Sequence, residues 1–162
     1  MKLAALMEEF AEEAGVEPFV TDGNGVFNIE IDAMPVAVWE SGDGHVVLQS
    51  PVGEPPPAAL AGRERLYRVL LESMFHGEGT GGATLSIEKS SGLVFLHKVE
   101  NGLALDYGGF KAFLESFVSA LGQWRGVLVE FRPVAERMER DMQETSEASR
   151  NAILGGDGFI KV

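Results

Sequence analysis

Residues 110–128, FKAFLESFVSALGQWRGVL, constrain this chain more than any other stretch. Apolar side chains recur at Phe110, Phe113, Leu114, Phe117, Val118, Leu121, Trp124 and Leu128. Those steps of three and four put them on one face of a helix of about five turns. The other side is wet, with Lys111, Glu115, Ser119, Gln123 and Arg125. Asp106 stands where a short acceptor can take the orphan amide hydrogens of the first turn. Pro133 is expected to stop the helix. A dry stripe this long has to be covered, and a small sheet is the partner that fits its length.

The chain before it supplies the strands. Residues 1–14 read as a first helix with Leu3, Leu6, Met7, Phe10 and Ala14 on one face and Glu8, Glu9, Glu12 and Glu13 on the other; Gly15 is its stop. Residues 19–22 suggest a short strand before the turn at Gly23, Asn24 and Gly25. In 26–32, Phe27, Ile29 and Ile31 alternate with Asn28, Glu30 and Asp32, the pattern of a half-buried strand. Met34 and Pro35 mark the next turn, and 35–40 puts Val36 and Val38 on one face and Ala37 and Trp39 on the other. A turn at Gly42, Asp43 and Gly44 leads to a third strand over 45–50. Short connections make an antiparallel meander the economical topology.

A stiff connector over 51–57, PVGEPPP, leads into a second helix, 58–75, whose apolar stripe runs through Leu60, Leu66, Tyr67, Leu70, Leu71, Met74 and Phe75. That stripe is broader than one sheet face requires, which points to contact on two sides. Residues 76–82, HGEGTGG, follow a helix and precede a strand, the reverse of the order a phosphate cradle needs, so they read as a flexible loop. Two strands follow, one through Leu85 and Ile87 and one over 93–99 that is apolar on both faces, with Val94 and Leu96 among its residues. The second suits an interior strand or a subunit seam. The fold class is therefore α+β, an antiparallel twisted sheet with three helices in the order α-β-β-β-α-β-β-α. Residues 1–132 form the domain. Residues 133–162 form a charged extension, partly helical or disordered, that could dock through Ile153, Phe159 and Ile160.

Charge narrows the partners. The chain of 162 residues carries 25 acidic against 13 basic side chains, a formal charge of −12. Such a field repels nucleic-acid backbones and anionic lipid, and favours a neutral or basic polypeptide. No apolar run has the length of a membrane span, and the first residues lack the order of a signal peptide, so a cytoplasmic protein without membrane insertion is expected. There are no cysteines, which excludes disulfides, thiolate zinc sites and a cysteine nucleophile.

Catalytic signals are missing too. His45, His76 and His97 have no second ligand at helical or hairpin spacing, and no cofactor or metal site is nominated. Asp22 and Asn24 begin like a calcium loop, but the later ligands are absent. The serines lack a nucleophile elbow, and Glu12 and Glu13 lie on a solvated face. The chain reads as a non-enzyme.

Several joints then resemble one family. Leu70, Leu71 and Glu72 near the end of the second helix precede the glycine-rich loop and the Leu85/Ile87 strand. The strand Gly92, Leu93, Val94, Phe95 and Leu96, then Leu105 with Asp106, and Phe117 with Trp124 and Arg125 follow in the same order. Together they are similar to the class I, Tir chaperone-like chaperones of type III secretion, over roughly residues 1–132. Ser73 and Met74 depart from the family's usual Ala-Asn. The resemblance implies a homodimer that binds the extended N-terminal segment of a secreted effector and keeps it competent for secretion. It implies an effector surface from Leu3, Leu6, Met7, Phe10, Phe27, Ile29, Ile31, Val36, Val38 and Trp39. It implies a dimer interface from Leu66, Tyr67, Leu70, Leu71, Met74, Leu85, Ile87, Val94 and Leu96. The alternative is a regulatory or immunity-type protein on the same scaffold that recognises a folded partner.

Overall fold

The computed structural model describes residues 2–56 and 60–154. In chain order these form α1 (Lys2–Ala14), β1 (Phe27–Ile31), β2 (Met34–Glu40), β3 (His45–Gly53), α2 (Leu60–Ser73), a 3-10 turn (Phe75–Gly77), β4 (Thr84–Ile87), β5 (Val94–Asn101) and α3 (Tyr107–Leu154). The expected order holds, with one helical segment more than the three expected. The second helix ends early, at Ser73, and His76 takes a φ of 54° in the 3-10 turn, a backbone no α-helix continues through. Ala58 and Ala59, where that helix was expected to begin, lie outside the described residues, as do Phe159 and Ile160 of the extension.

The sheet is antiparallel throughout, in the order β1-β2-β3-β5-β4. Alternation sets its faces. Phe27, Ile29, Val36, Val38, Val46, Leu48, Leu85, Val94 and Leu96 point to one side and join residues of all three α-helices in a single buried cluster. On the other side Trp39, Val47 and Val99 lie in register across β2, β3 and β5. Along that row Val47 is buried, Trp39 half-buried and Val99 exposed.

Local chemistry sets the ends of the elements. Gly15, at φ 68°, closes α1, with the Gly15 and Val16 amides donating to the carbonyls of Glu12 and Ala11 at 3.2 and 3.1 Å. The turn between β1 and β2 comes earlier than Met34 and Pro35. Asp32 and Ala33 take φ 51° and 60°, and Ile31 pairs with Met34 across a two-residue hairpin. Pro35 is a strand residue opposite Glu30. In such a hairpin the closing pair exchanges both bonds and the next pair none, so the missing proline N–H costs β1 nothing. The Pro35 carbonyl accepts the buried Ser50 hydroxyl at 2.5 Å. Residues 19–22 supply only one bridge, Thr21 with Phe27. β3 runs past Ser50 through Pro51 to Gly53, with a bulge between those two.

α3 does what its stripe demands and then goes further. Asp106 Oδ1 accepts the Gly109 amide at 2.7 Å, the capping bond expected of it. Phe110, Phe117 and Leu121 are fully covered. The expected stop at Pro133 does not occur: α3 has 48 residues and ends at Leu154, a length of about 72 Å. A proline removes one rung and crowds the carbonyl four residues back, a local cost of about 3 kcal/mol that intact flanking turns can carry. The 132/133 division thus falls inside one helix. The loop expected to be flexible is tied down. Trp124 Nε1–H donates to the Gly79 carbonyl at 3.0 Å, and Thr80 is buried. A Cβ on Gly79 would lie 2.8 Å from the Ser73 carbonyl oxygen, so only glycine fits there.

Candidate partner-binding groove

A groove of about 370 Å³ opens where α1, the end of β1 and α3 meet. It exists because α1 buries Leu3, Leu6, Met7 and Ala11 but leaves Phe10 at the margin. Phe10 stacks on Phe19 at 5.9 Å between ring centres and meets Phe110 edge-on at 6.4 Å. Ile31 is the last helix-facing residue of β1, and Leu114 and Val118, four apart, come from α3. These four side chains make the apolar lining. Asp32, Lys111, Glu115 and Ser119 complete it.

Lys111 Nζ makes an ion pair with Glu13, and the Tyr107 hydroxyl donates to the same carboxylate, tying α3 to α1. These hydrogen bonds, from Lys111 first, hold the Glu13 carboxyl below its ordinary range. The bond to Glu13 pushes the Tyr107 hydroxyl up to about 12 and raises Lys111. Beside the groove, β1 is the sheet's edge: it pairs with β2 alone, apart from the single bridge at Phe27. Its outer amides and carbonyls are the kind of edge an extended peptide can extend.

The residues assigned to effector contact divide sharply. Leu3, Leu6, Met7, Phe27, Ile29, Val36 and Val38 are buried within the protomer. Phe10 and Ile31 are partly covered and line the groove. Trp39 is half-buried on the sheet face away from the helices. Leu114, Glu115, Val118 and Ser119 of α3 also line the groove, and none of them is in the expected effector surface. Their signal was position: Leu114 and Val118 lie on the stripe, next to the polar Glu115 and Ser119.

The residues assigned to the dimer divide in the same way. Leu66, Leu70, Leu85, Val94 and Leu96 belong to the core, and Tyr67 and Met74 are partly buried against it. Leu71 is 67% exposed and Ile87 40%. Phe75, absent from the assigned set, is 71% exposed and packs edge-on against the His76 ring at 4.2 Å. Among the described residues, no group of three or more His, Asp or Glu could hold a metal ion, and no helix is long and apolar enough to cross a membrane. Asp22, the first residue of the calcium-like pattern, instead accepts the amides of Asn24 and Val26 at 2.8 and 3.0 Å.

Among the described residues the chain is thus a five-stranded antiparallel sheet with three α-helices against one face and β1 and β4 as its edge strands. The chain belongs to the Tir chaperone protein (CesT) family, which it matches over residues 5–125. Solved structures agree in fold. The ExsC–ExsE complex is similar at a TM-score of 0.66 and 18% identity, covering 78% of this chain and 93% of that one. The HopA1–SchA chaperone–effector complex is similar at 0.61 and 17%, covering 77% and 94%. The Yersinia pestis type III secretion chaperone SycH, in complex with a stable fragment of YscM2, is similar at 0.56 and 23%, covering 75% and 98%. No curated protein sequence matches the chain. The family match stops at residue 125, whereas α3 continues to Leu154.

Proposed function

We propose that this protein is a type III secretion chaperone. It binds the N-terminal segment of a secreted effector in the cytoplasm, in extended form, and keeps it competent for export. Family membership over residues 5–125 carries the reading. Structurally similar chains were solved with partners, among them the HopA1–SchA chaperone–effector complex. The apolar groove beside the free β1 edge gives such a segment both side-chain pockets and main-chain partners. The work is binding and release, with no bond made or broken.

The working unit we propose is a homodimer. Leu71, Phe75 and Ile87 form its exposed apolar seam next to the free β4 edge. On a chain of charge −12, self-association needs surface of this uncharged kind.

The test is co-expression with a candidate secreted effector, followed by limited proteolysis of the purified complex. The expected result is protection confined to roughly the first 50–100 residues of the partner, enough to bury an interface of standard size or larger. A partner protected along its whole length, and equally protected when free, would instead mean recognition of a folded protein.

A further inference from the structure

The groove is bounded by charge as well as by apolar surface. Its apolar lining is Phe10, Ile31, Leu114 and Val118. Three ionisable groups surround that lining: Asp32, Lys111 and Glu115. Lys111 would be the natural ligand for an acidic residue of an incoming segment, but it is already engaged. Its ammonium pairs with Glu13, which the Tyr107 hydroxyl holds from a second side. Glu115 adds to the field on Lys111 without forming an ion pair with it. Neither Asp32 nor Glu115 has an ion-pair partner among the described residues. Counting Glu13 with the rim leaves three carboxylates facing one ammonium.

Resting on the reading of this groove as the effector site, the geometry points to a specific occupant: an extended peptide with an apolar side chain in the groove and an Arg or Lys two positions away on the same face. The spacing follows from the edge. A strand added along β1 turns every second side chain toward the helices. The one beside Ile31 enters the apolar lining. Its neighbour on that face passes the end of β1, where Asp32 begins the hairpin and Glu115 stands on α3. An acidic residue there would meet two carboxylates that have no ion-pair partner among the described residues. A guanidinium can take a carboxylate bidentately.

The probes are two short, blocked, dye-labelled peptides of Ser and Thr with Leu at alternate positions. One carries Arg, the other Glu, two positions from a central Leu. Fluorescence anisotropy with the full chain should show the Arg peptide binding at least about fivefold more tightly at low salt, the yield of two modest exposed pairs. The gap should shrink at high salt, because both carboxylates are exposed. Asp32→Asn with Glu115→Gln should abolish the preference while leaving the Glu peptide bound as well as before, or better. A preference that survives in the double variant overturns the proposal, since the charge would be read elsewhere. Equal affinity for both peptides, lost in Val118→Asp, also overturns it but leaves the groove as a peptide site. Binding that ignores both Val118→Asp and Ser119→Trp, or no binding of either peptide, removes the groove reading itself. Ser119 is exposed, so its replacement keeps the test valid if Val118→Asp fails to fold.

Discussion

The two edges of the sheet differ in shape and in chemistry. At the β1 edge the surface is concave, with an apolar lining and a charged rim built from α1, α3 and the end of β1 with its hairpin. At the β4 edge it carries bare apolar side chains, Leu71, Phe75 and Ile87, from α2, the 3-10 turn and β4. A concave site with a polar rim suits a segment that arrives unfolded and gains its shape on binding. An exposed apolar patch suits a second preformed surface, such as its own copy related by a two-fold axis. The two should therefore fail independently.

The largest expected effect erases the comparison, and so serves as its control. Phe117 is fully buried where α3 crosses the sheet. Phe117→Ala should cost about 3–5 kcal/mol by urea unfolding, and dimer and peptide binding should be lost together. Retention of either function at normal levels would mean that the edges do not share one core. Next comes the β4 edge. Leu71→Glu with Phe75→Ser should weaken self-association by about 100-fold, or about 2.7 kcal/mol, as expected for interface anchors. Analytical ultracentrifugation would show it. Peptide affinity per protomer at the β1 groove should hold; its parallel loss would break the proposed division.

These surfaces were unequally legible in the sequence. The order of elements was, because Phe110–Leu128 periodicity and the Phe27, Ile29, Ile31 alternation are set by burial, which repeats along the chain. Capping by Asp106 was legible because it is a local bond. The groove was not. Burial patterns tell which residues are dry, but not whether protein or a partner dries them; Val36 and Phe10 read alike, and only packing separates the covered from the marginal. The run of α3 through Pro133 was hidden for another reason. A proline's penalty is local, whereas the helix is held by many rungs on both sides. The pinned glycine loop needed a partner 45 residues away, Trp124.

That loop gives the third prediction, smaller and at the border between the two edges. Trp124→Phe keeps most of the buried ring but removes the Nε1–H donated to Gly79. The cost should be about 0.5–1.5 kcal/mol, the net worth of one such hydrogen bond, since water can reach the Gly79 carbonyl. Hydrogen exchange should speed up over 77–83, next to the Phe75 seam, and stay unchanged around Phe10 and Ile31. Faster exchange at both places would mean that the loop supports the whole sheet and not the β4 edge alone.

The smallest effect belongs to the tie between α1 and α3 at the groove. Glu13 has its carboxyl lowered by Lys111 and Tyr107, so its contribution is full above the ordinary carboxylate value of 4.5 and fades as pH falls through the lowered one. Tyr107 works in the opposite direction. With its hydroxyl raised from 10.0 to about 12, its share persists below pH 10 and is lost as pH climbs toward 12. Lys111, also raised, loses its share as pH rises above 10.5. Glu13→Gln should therefore lower the melting temperature slightly across a plateau from about pH 5 to 10. The difference from the parent chain should close at both ends. Glu13 is exposed and Tyr107 and Lys111 are only partly buried, so salt should shrink it as well. Peptide binding adds the sharper readout. Freed from Glu13, Lys111 becomes available at the rim, and the preference for an Arg-bearing over a Glu-bearing peptide should narrow in Glu13→Gln without touching the dimer. A variant that dimerises less well would show that the α1–α3 tie reaches the far edge, and the independence of the two edges would fall with it.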